Sequence, residues 1–410
     1  MAEHFITTIK VYHSRNVKDL EIPLSKEERK HLIITGKNGC GKTSLLLEMN
    51  KFWQTVIDGD VKLKSQWERQ LAQYKKSLAE VSDETDRLQI KQSIKNFEGY
   101  LTRFGGTVPT FSSSGLAVYH QFQAGAFTFA YFDAKRQSNI QVPKGVNRID
   151  LKPIYQLKES ANQNFIQYLV NLKADRSFAR DDEEYDLVAE IDAWFERFES
   201  RLRHIFGDES LKLKFDKKTY NFQIQTQGAE GFSFDTLSDG YSAIISIVSE
   251  LLLRMEASDF KAYDMQGIVV IDELETHLHV ELQKKILPFL TDFFPKIQFI
   301  VSTHSPFVLS SISNAVVCDL EERIIVEDLS KYSYDALVES YFDVDKYSEE
   351  VKQKVARYEA LMSKENLTET ETDERYELKH YFKHLPKFLS EELAVKIQQI
   401  ELKALNKKKQ

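Results

Sequence analysis

An α/β protein built on a parallel sheet is predicted by three observations. An apolar strand pattern, HLIIT at His31–Thr35, runs into a glycine-rich turn and then into SLLLEMNKFW, whose apolar residues suit a helix packed on a sheet. Two further strand patterns, Ile268–Ile271 and Ile297–Ser302, flank a helix over His279–Phe294, long enough for the crossover that parallel strands require. The composition is that of a folded chain: of 410 residues 42% are hydrophobic and 29% charged, and 15 glycines with 8 prolines are too few for a low-complexity segment.

The length suggests two or three structural units. A formal charge of −8 leaves no bulk basic field for nucleic acid or anionic lipid, so any DNA contact has to come from a local patch. Cys40 and Cys318 are the only cysteines, too few for a disulfide framework, and the 10 histidines are not clustered around them, so a cytoplasmic setting is expected. The N-terminus has no continuous apolar stretch of the kind a secretion signal carries. The most apolar run, Ala243–Leu253, is interrupted by Ser246, Ser249 and Glu250, so no membrane contact is expected.

Along the chain, Phe5–Leu24 reads as two strands and a turn. From Asp60 to Arg103 apolar residues recur at helical spacing, which predicts a hairpin turning near Ser82–Asp86, with arms of ~20 residues and ~30 Å. Such an insertion either packs on its own domain or grips a partner or DNA; packing is the plainer reading. Phe127–Phe132 reads as a strand, Ser160–Phe206 as mostly helical, and KLKFD and YNFQIQ as two strands about a turn. After Leu320 helices are expected, with a polar break at Lys364–Glu371 and a basic tip at Lys407–Lys409. The organisation predicted is a head over residues 1–320, with a helical-hairpin insertion at 60–105 and a mixed helical/β lobe at 151–230, then a helical partner-docking region at 321–410.

Four motifs carry chemistry. GKNGCGKT, comprising Gly36, Lys37, Asn38, Gly39, Cys40, Gly41, Lys42 and Thr43 with Ser44 following, matches G-x-x-x-x-G-K-[ST] between a strand and a helix. Its glycines let successive N–H groups face phosphate oxygens, Lys42 reaches the outer phosphates, and Thr43 offers a hydroxyl to Mg2+. Cys40 is either a thiol activated by those amides or a small side chain that fits a crowded loop. IVVIDE, Ile268–Glu273, is an apolar strand ending in two carboxylates: Asp272 suits Mg2+ and Glu273 suits polarising a water. Leu237, Ser238, Asp239 and Gly240 open a long helix whose free N–H groups suit an anion, although an ordinary helix cap has the same wording. In FIVSTHSP, His304 follows a strand and can bond a phosphate or a water, while Pro306 is expected to end the strand.

In that order and context, the four motifs resemble the ABC-type ATPases, a P-loop NTPase group. The run VVIDELETHLHVELQKKILPFL through VSTHSPFVL is most similar to the OLD-like and SMC-like branch, and LSDGY resembles bacterial anti-phage defence ATPases such as the PtuA component of Septu systems. The resemblance spans Phe5–Ser310 apart from the hairpin. It implies an ABC-type head with a short helical-hairpin insertion and a helical C-terminal extension, binding ATP and Mg2+. It further implies a head-to-tail dimer in which ATP on one copy's P-loop is capped by the signature of the other, with Leu237, Ser238, Asp239 and Gly240 acting in trans. Carried over, Lys42 and Thr43 hold phosphate and Mg2+, Asp272 and Glu273 are the Walker B pair, and His304 is the switch histidine. Gln137, or Arg136, stands for the sensor after the strand Phe127–Phe132, and Arg15 approaches the nucleotide.

Two departures qualify the match: LSDGY replaces the transporter-like LSGGQ, and Val280 stands where many OLD-like relatives carry Pro. Glu275, His277 and His279 read as loop packing at the dimer interface in preference to a metal cluster. After Leu320, IIVED around Glu327 is followed closely by Asp343 and Asp345, a spacing too short for the usual crossovers, so a complete nuclease site of the OLD type is not expected in this stretch. The expected function is a slow, dimerising ATPase that senses a trigger and regulates a separate effector, a nuclease by preference, with DNA as a further candidate partner. A DNA-repair or chromosome-maintenance ATPase, a transporter subunit and a nucleotide-gated scaffold with little turnover are the alternatives.

Overall fold

The computed structural model describes residues 3–81, 83–136, 139–149, 151–157, 159–226, 231–256, 265–332, 337, 349–364, 367–383 and 397–400. The chain divides into two compact units, residues 1–333 and 334–410.

The first unit is organised by a six-stranded sheet. Its strands are β3 (His31–Thr35), β5 (Phe127–Phe132), β9 (Gln266–Ile271), β10 (Ile297–Ser302), β11 (Ala315–Asp319) and β12 (Ile324–Glu327), in the order β12-β11-β3-β10-β9-β5. All pairings are parallel except the edge strand β12, which runs antiparallel to β11. Every residue of β3, β10 and β11 is buried, as expected when both faces of a parallel sheet are covered. The strands therefore read as mainly apolar runs, with buried polar residues such as Gln298 and Ser302 among them. The pair β11 and β12 extends the sheet; β12 lies where helix was expected after Leu320, because Ile324, Ile325 and Val326 supply three strand-forming residues after a turn.

A second sheet, β2-β1-β4, is antiparallel, with β1 at Ile6–Ser14, β2 at Val17–Pro23 and β4 at Thr107–Phe111. Helix α1 (Lys42–Ile57) joins the two sheets: Leu45, Leu46, Met49, Phe52, Trp53 and Val56 fall on one face and are buried. Trp53 stacks on Phe129 of β5 at 5.4 Å and meets Phe111 of β4 at 6.0 Å. Deleting such a buried aromatic costs about 3–5 kcal/mol, so these contacts fix α1 firmly against β4 and β5.

Helices α2 (Val61–Glu80) and α3 (Glu84–Thr102) form an antiparallel pair without a buried residue in either. Trp67 on Tyr100, Tyr74 on Phe97 and the Lys75–Glu98 ion pair at 2.7 Å hold the arms together. Asp83 accepts from the N–H groups of Thr85 and Asp86, which starts α3 there. Helix α4 (Gly115–Gln123), capped by Ser114, leads into β5.

A lobe follows, with α5 (Phe165–Asp181), α6 (Tyr185–Phe206) and the small sheet of β6 (Lys212–Asp216), β7 (Asn221–Gln225) and β8 (Phe232–Ser233). Its apolar centre includes Phe165, Phe198 and Phe234 in edge and tilted contact. Helix α7 (Asp239–Glu256) is buried from Ala243 to Met255. The polar residues within it are satisfied: Glu250 accepts from Arg254 at 2.7 Å and from the N–H groups of Ala161 and Asn162. Arg254 also donates to the carbonyls of Phe129 and Glu159. A buried charge pair is tolerable only with such full bonding. Helix α8 (Val280–Phe293) returns the chain to β10. Pro306 then opens the short helix α9 (Pro306–Leu309), where the sequence reading had it ending a strand; its ring suits a first helical turn.

In the second unit, α10 (Glu349–Ser363) and α11 (Glu369–Lys383) share a small core of Val355, Tyr358, Leu361, Leu378 and Phe382 with Ile397 and Ile400. Arg357 grips Glu374 with two hydrogen bonds, at 2.9 and 2.6 Å. Asp343 and Asp345 lie outside the described residues. Among the described residues no helix is long and apolar enough to cross a membrane.

Candidate nucleotide-binding site

Strand order places the motifs. Because β3, β10, β9 and β5 are parallel and adjacent, their C-terminal ends lie along one edge at ~4.8 Å per strand. The glycine loop leaves β3, Thr303 and His304 leave β10, Asp272 and Glu273 leave β9, and Arg136 follows β5. The C-terminal edge of such a sheet is where ligands bind.

The loop depends on backbone freedom at its first residue. Gly36 has φ 129°, and a Cβ there would stand 2.9 Å from Cys40 Sγ and 3.3 Å from Asp319 Oδ1. The loop ends at Gly41, whose side gives α1 no capping hydrogen bond, so the N–H groups of its first turn can serve an anion. Lys42 is 6% exposed, and its ammonium donates to the carbonyls of Gly36 at 2.8 Å and Lys37 at 3.2 Å. Thr43 is exposed and Ser44 half-buried. Lys37 pairs with Glu321 at 3.0 Å on one flank. On the other, Asn16 donates to the Gly39 carbonyl at 3.4 Å, which brings the turn holding Arg15 against the loop. Arg15 itself is exposed, with φ 49°.

We expect Gly36→Ala to weaken nucleotide binding about tenfold, because left-handed strain of about 1–3 kcal/mol adds to the clash with Cys40. Titration of a fluorescent ATP analogue checks this; affinity within twofold of the parent would contradict it.

The acidic turn is held from two directions. Asp272 is 3% exposed, and its Oδ1 accepts from the Ser302 hydroxyl at 2.5 Å. The same Ser302 oxygen accepts from the Glu273 N–H at 2.8 Å. Arg136 donates to the carbonyls of Asp272, Glu273 and Leu274 at 2.8, 2.9 and 3.2 Å. Glu273 has φ 48°, a left-handed conformation that costs a non-glycine residue about 1–2 kcal/mol. Its carboxylate is half-buried and accepts from Thr276 at 3.3 Å. Neither Ser302 nor the contacts of Arg136 were evident from the sequence. The available signals were a small hydroxyl residue ending the strand beside the acidic one, and a cation shortly after β5.

His304 lies in the field of Lys42, Glu275, Glu273 and Asp272. Burial first, then Lys42, hold its imidazole below the ordinary value against the pull of the three carboxylates, so it is mainly neutral at pH 7. Its backbone N–H donates to Glu275. Gln137 lies outside the described residues.

The signature stands elsewhere. Ser238 and Asp239 are exposed, and the Ser238 carbonyl accepts the first helical bond of α7 from Ser242 at 2.8 Å. Leu237 is half-buried. Gly240 is required by close approach: a Cβ there would stand 2.9 Å from the His277 carbonyl. Ser238, Asp239 and Gly240 line a cavity of about 470 Å³ with His277, His279 and Lys285, and no residue of Gly36–Ser44 lines it. One copy thus brings together Lys42, Asp272, Glu273 and His304, while its signature faces a different space.

A family model described as "AAA domain, putative AbiEii toxin, Type IV TA system" matches residues 121–310, the part holding the signature, the acidic strand and His304. Septu protein PtuA of Bacillus mycoides is 23% identical over 332 residues, covering 78% of this chain and 41% of its own. The Retron Vc95 probable ATPase of Vibrio cholerae is 31% identical over 191 residues, covering 43% of this chain and 37% of its own. The chain resembles ATPases of bacterial anti-phage defence. The match with these curated relatives spans less than half of their length. Among solved structures, an SMC head bound to the C-winged helix domain of ScpA aligns with 80% of this chain and 99% of its own, at 12% identity and TM-score 0.40. By its strand order, the glycine loop between β3 and α1 and the acidic end of β9, the fold is α/β with a largely parallel sheet, consistent with a P-loop NTPase.

Proposed function

We propose that this chain binds ATP with Mg2+ and hydrolyses it at sites shared between two copies, and that its nucleotide state governs a separate effector in defence against phage. The observation that carries the reading is the gathering of Lys42, Asp272, Glu273 and His304 at one edge of the sheet.

The residues present fit a magnesium nucleotide. Mg2+ is ordinarily held by one or two carboxylates together with phosphate oxygens, and here Asp272 is fixed at one oxygen by Ser302 while Thr43 offers a hydroxyl from the first turn of α1. Bound there, the ion would neutralise charge on the outer phosphates. Lys42 and the loop amides hold those phosphates. Glu273 orients a water and takes its proton as the water oxygen bonds to the γ-phosphorus and the bond to the ADP oxygen breaks. Neutral His304 can donate from one ring nitrogen to the γ-phosphate. Ser238 and Gly240 of a second copy complete the site, and Arg15 reaches it from the β1–β2 turn. The second unit, whose helices α10 and α11 share a small core with Ile397 and Ile400, is the region we assign to effector docking. A nuclease is the effector class that the resemblance favours, DNA is a further candidate, and the setting is the cytoplasm.

The test is mass in solution. The Glu273→Gln protein with ATP and Mg2+ is expected to double in mass by light scattering, and Lys42→Ala is expected not to respond. A mass indifferent to ATP in the first protein would overturn the shared site.

A further inference from the structure

We infer that Arg136 is a positioning residue for hydrolysis, setting the backbone on both sides of Glu273 and through it the direction of that carboxylate. The inference rests on the assignment of Glu273 as the residue that activates water.

The argument is one of peptide planes. The plane between Asp272 and Glu273 is bonded at both ends: its carbonyl accepts from Arg136 at 2.8 Å and its N–H donates to Ser302 Oγ at 2.8 Å. The next plane is treated alike, since the Glu273 carbonyl accepts from Arg136 at 2.9 Å and the Leu274 N–H donates to the Ser302 carbonyl at 3.0 Å. Each residue's φ and ψ are the angles its two flanking planes make with Cα, so fixing both planes fixes Glu273 at its left-handed φ of 48°. Arg136 takes the carbonyls and Ser302 the N–H groups.

The residue type follows from this task. A planar guanidinium presents several donors in a rigid fork, so it can span successive carbonyls; an ammonium is a compact point and cannot reproduce the spread. Arg136 is 9% exposed, and burial lowers the pKa of its guanidinium against the opposing pull of Glu275, Asp133, Asp272 and Glu273; an arginine starts so high that it stays a cation. It also lines a cavity of about 450 Å³ with Tyr131 and Asp133, so the clamp lies at the margin of open space.

The test uses the full chain with Arg136→Lys, Arg136→Gln and Arg136→Ala, each alone and with Glu273→Gln. In single turnover we expect the hydrolysis rate to fall about 10²-fold while ATP affinity stays within about threefold, since a shift of about 1 Å in a reacting group has that effect. Guanidinium ion should restore part of the rate to Arg136→Ala and leave the parent unchanged. In the Glu273→Gln background the second substitution should remove nothing further.

Parental turnover in Arg136→Lys or Arg136→Gln, with Glu273→Gln inactive, overturns this inference alone. Parental turnover in Glu273→Gln overturns the reading beneath it. Equal loss of affinity and rate, or insolubility of all three Arg136 variants, assigns the residue to folding and overturns the positioning role.

Discussion

Glu273→Gln should lower ATP turnover by about 10²–10⁴-fold, the range that a positioned general base contributes, with ATP still bound. The substitution keeps the volume of the side chain and an oxygen able to accept from Thr276, so the turn has no packing reason to move. It removes the negative charge that polarises water and the site that receives its proton. The phosphate grip lies on a different strand: Lys42 and the loop amides follow β3, separated from β9 by β10. Affinity should therefore survive. Phosphate release and binding of a fluorescent ATP analogue, measured on the same sample, separate the two effects. Equal turnover in parent and variant would remove Glu273 from the chemistry and leave a nucleotide-gated scaffold as the better description. Lys42→Ala should show the reverse pattern, losing affinity first, because its ammonium is the charge centred in the loop.

The sheet strands that carry chemistry were legible because burial on both faces leaves mostly apolar residues in them, and each is cut off by a motif. His31–Thr35, Phe127–Phe132 and Ile297–Ser302 were read with their observed limits for this reason. Strand β4 was not legible: Thr107–Phe111 has a proline at Pro109, and its place is decided by pairing with β1, about a hundred residues earlier in the chain. Strands β11 and β12 were missed for a related cause, since a five-residue run and a four-residue run give too little periodicity to distinguish strand from helix. Among chemical groups, those with a motif were visible from spacing alone. Ser302 was not, and Arg136 was named only as an alternative sensor after β5, because their work is bonding to the backbone of Asp272–Leu274, and such contacts depend on strand order and leave no spacing in the sequence.

Two inactive variants should restore activity to each other. Lys42→Ala disables the phosphate loop and leaves the signature whole; Ser238→Arg places a bulky cation at the exposed start of α7 and leaves the loop whole. In a head-to-tail pair each site takes its loop from one copy and its signature from the other. A mixed dimer of these variants therefore holds one site with both parts intact and one with both disabled. With random pairing at equal amounts, half of the dimers are mixed and each carries one working site, so about a quarter of parental turnover should return. The geometry motivates the experiment, because the cavity at Ser238, Asp239 and Gly240 contains no residue of the phosphate loop of its own copy. A signature acting within one chain predicts a different result: each variant disables its own site, and mixing returns nothing above the sum of the two. Phosphate release across a series of mixing ratios distinguishes these outcomes, since turnover from shared sites follows the product of the two fractions and peaks at equal amounts. A flat profile would detach the signature from the nucleotide of a second copy, and the proposed coupling between ATP and assembly would then need another contact.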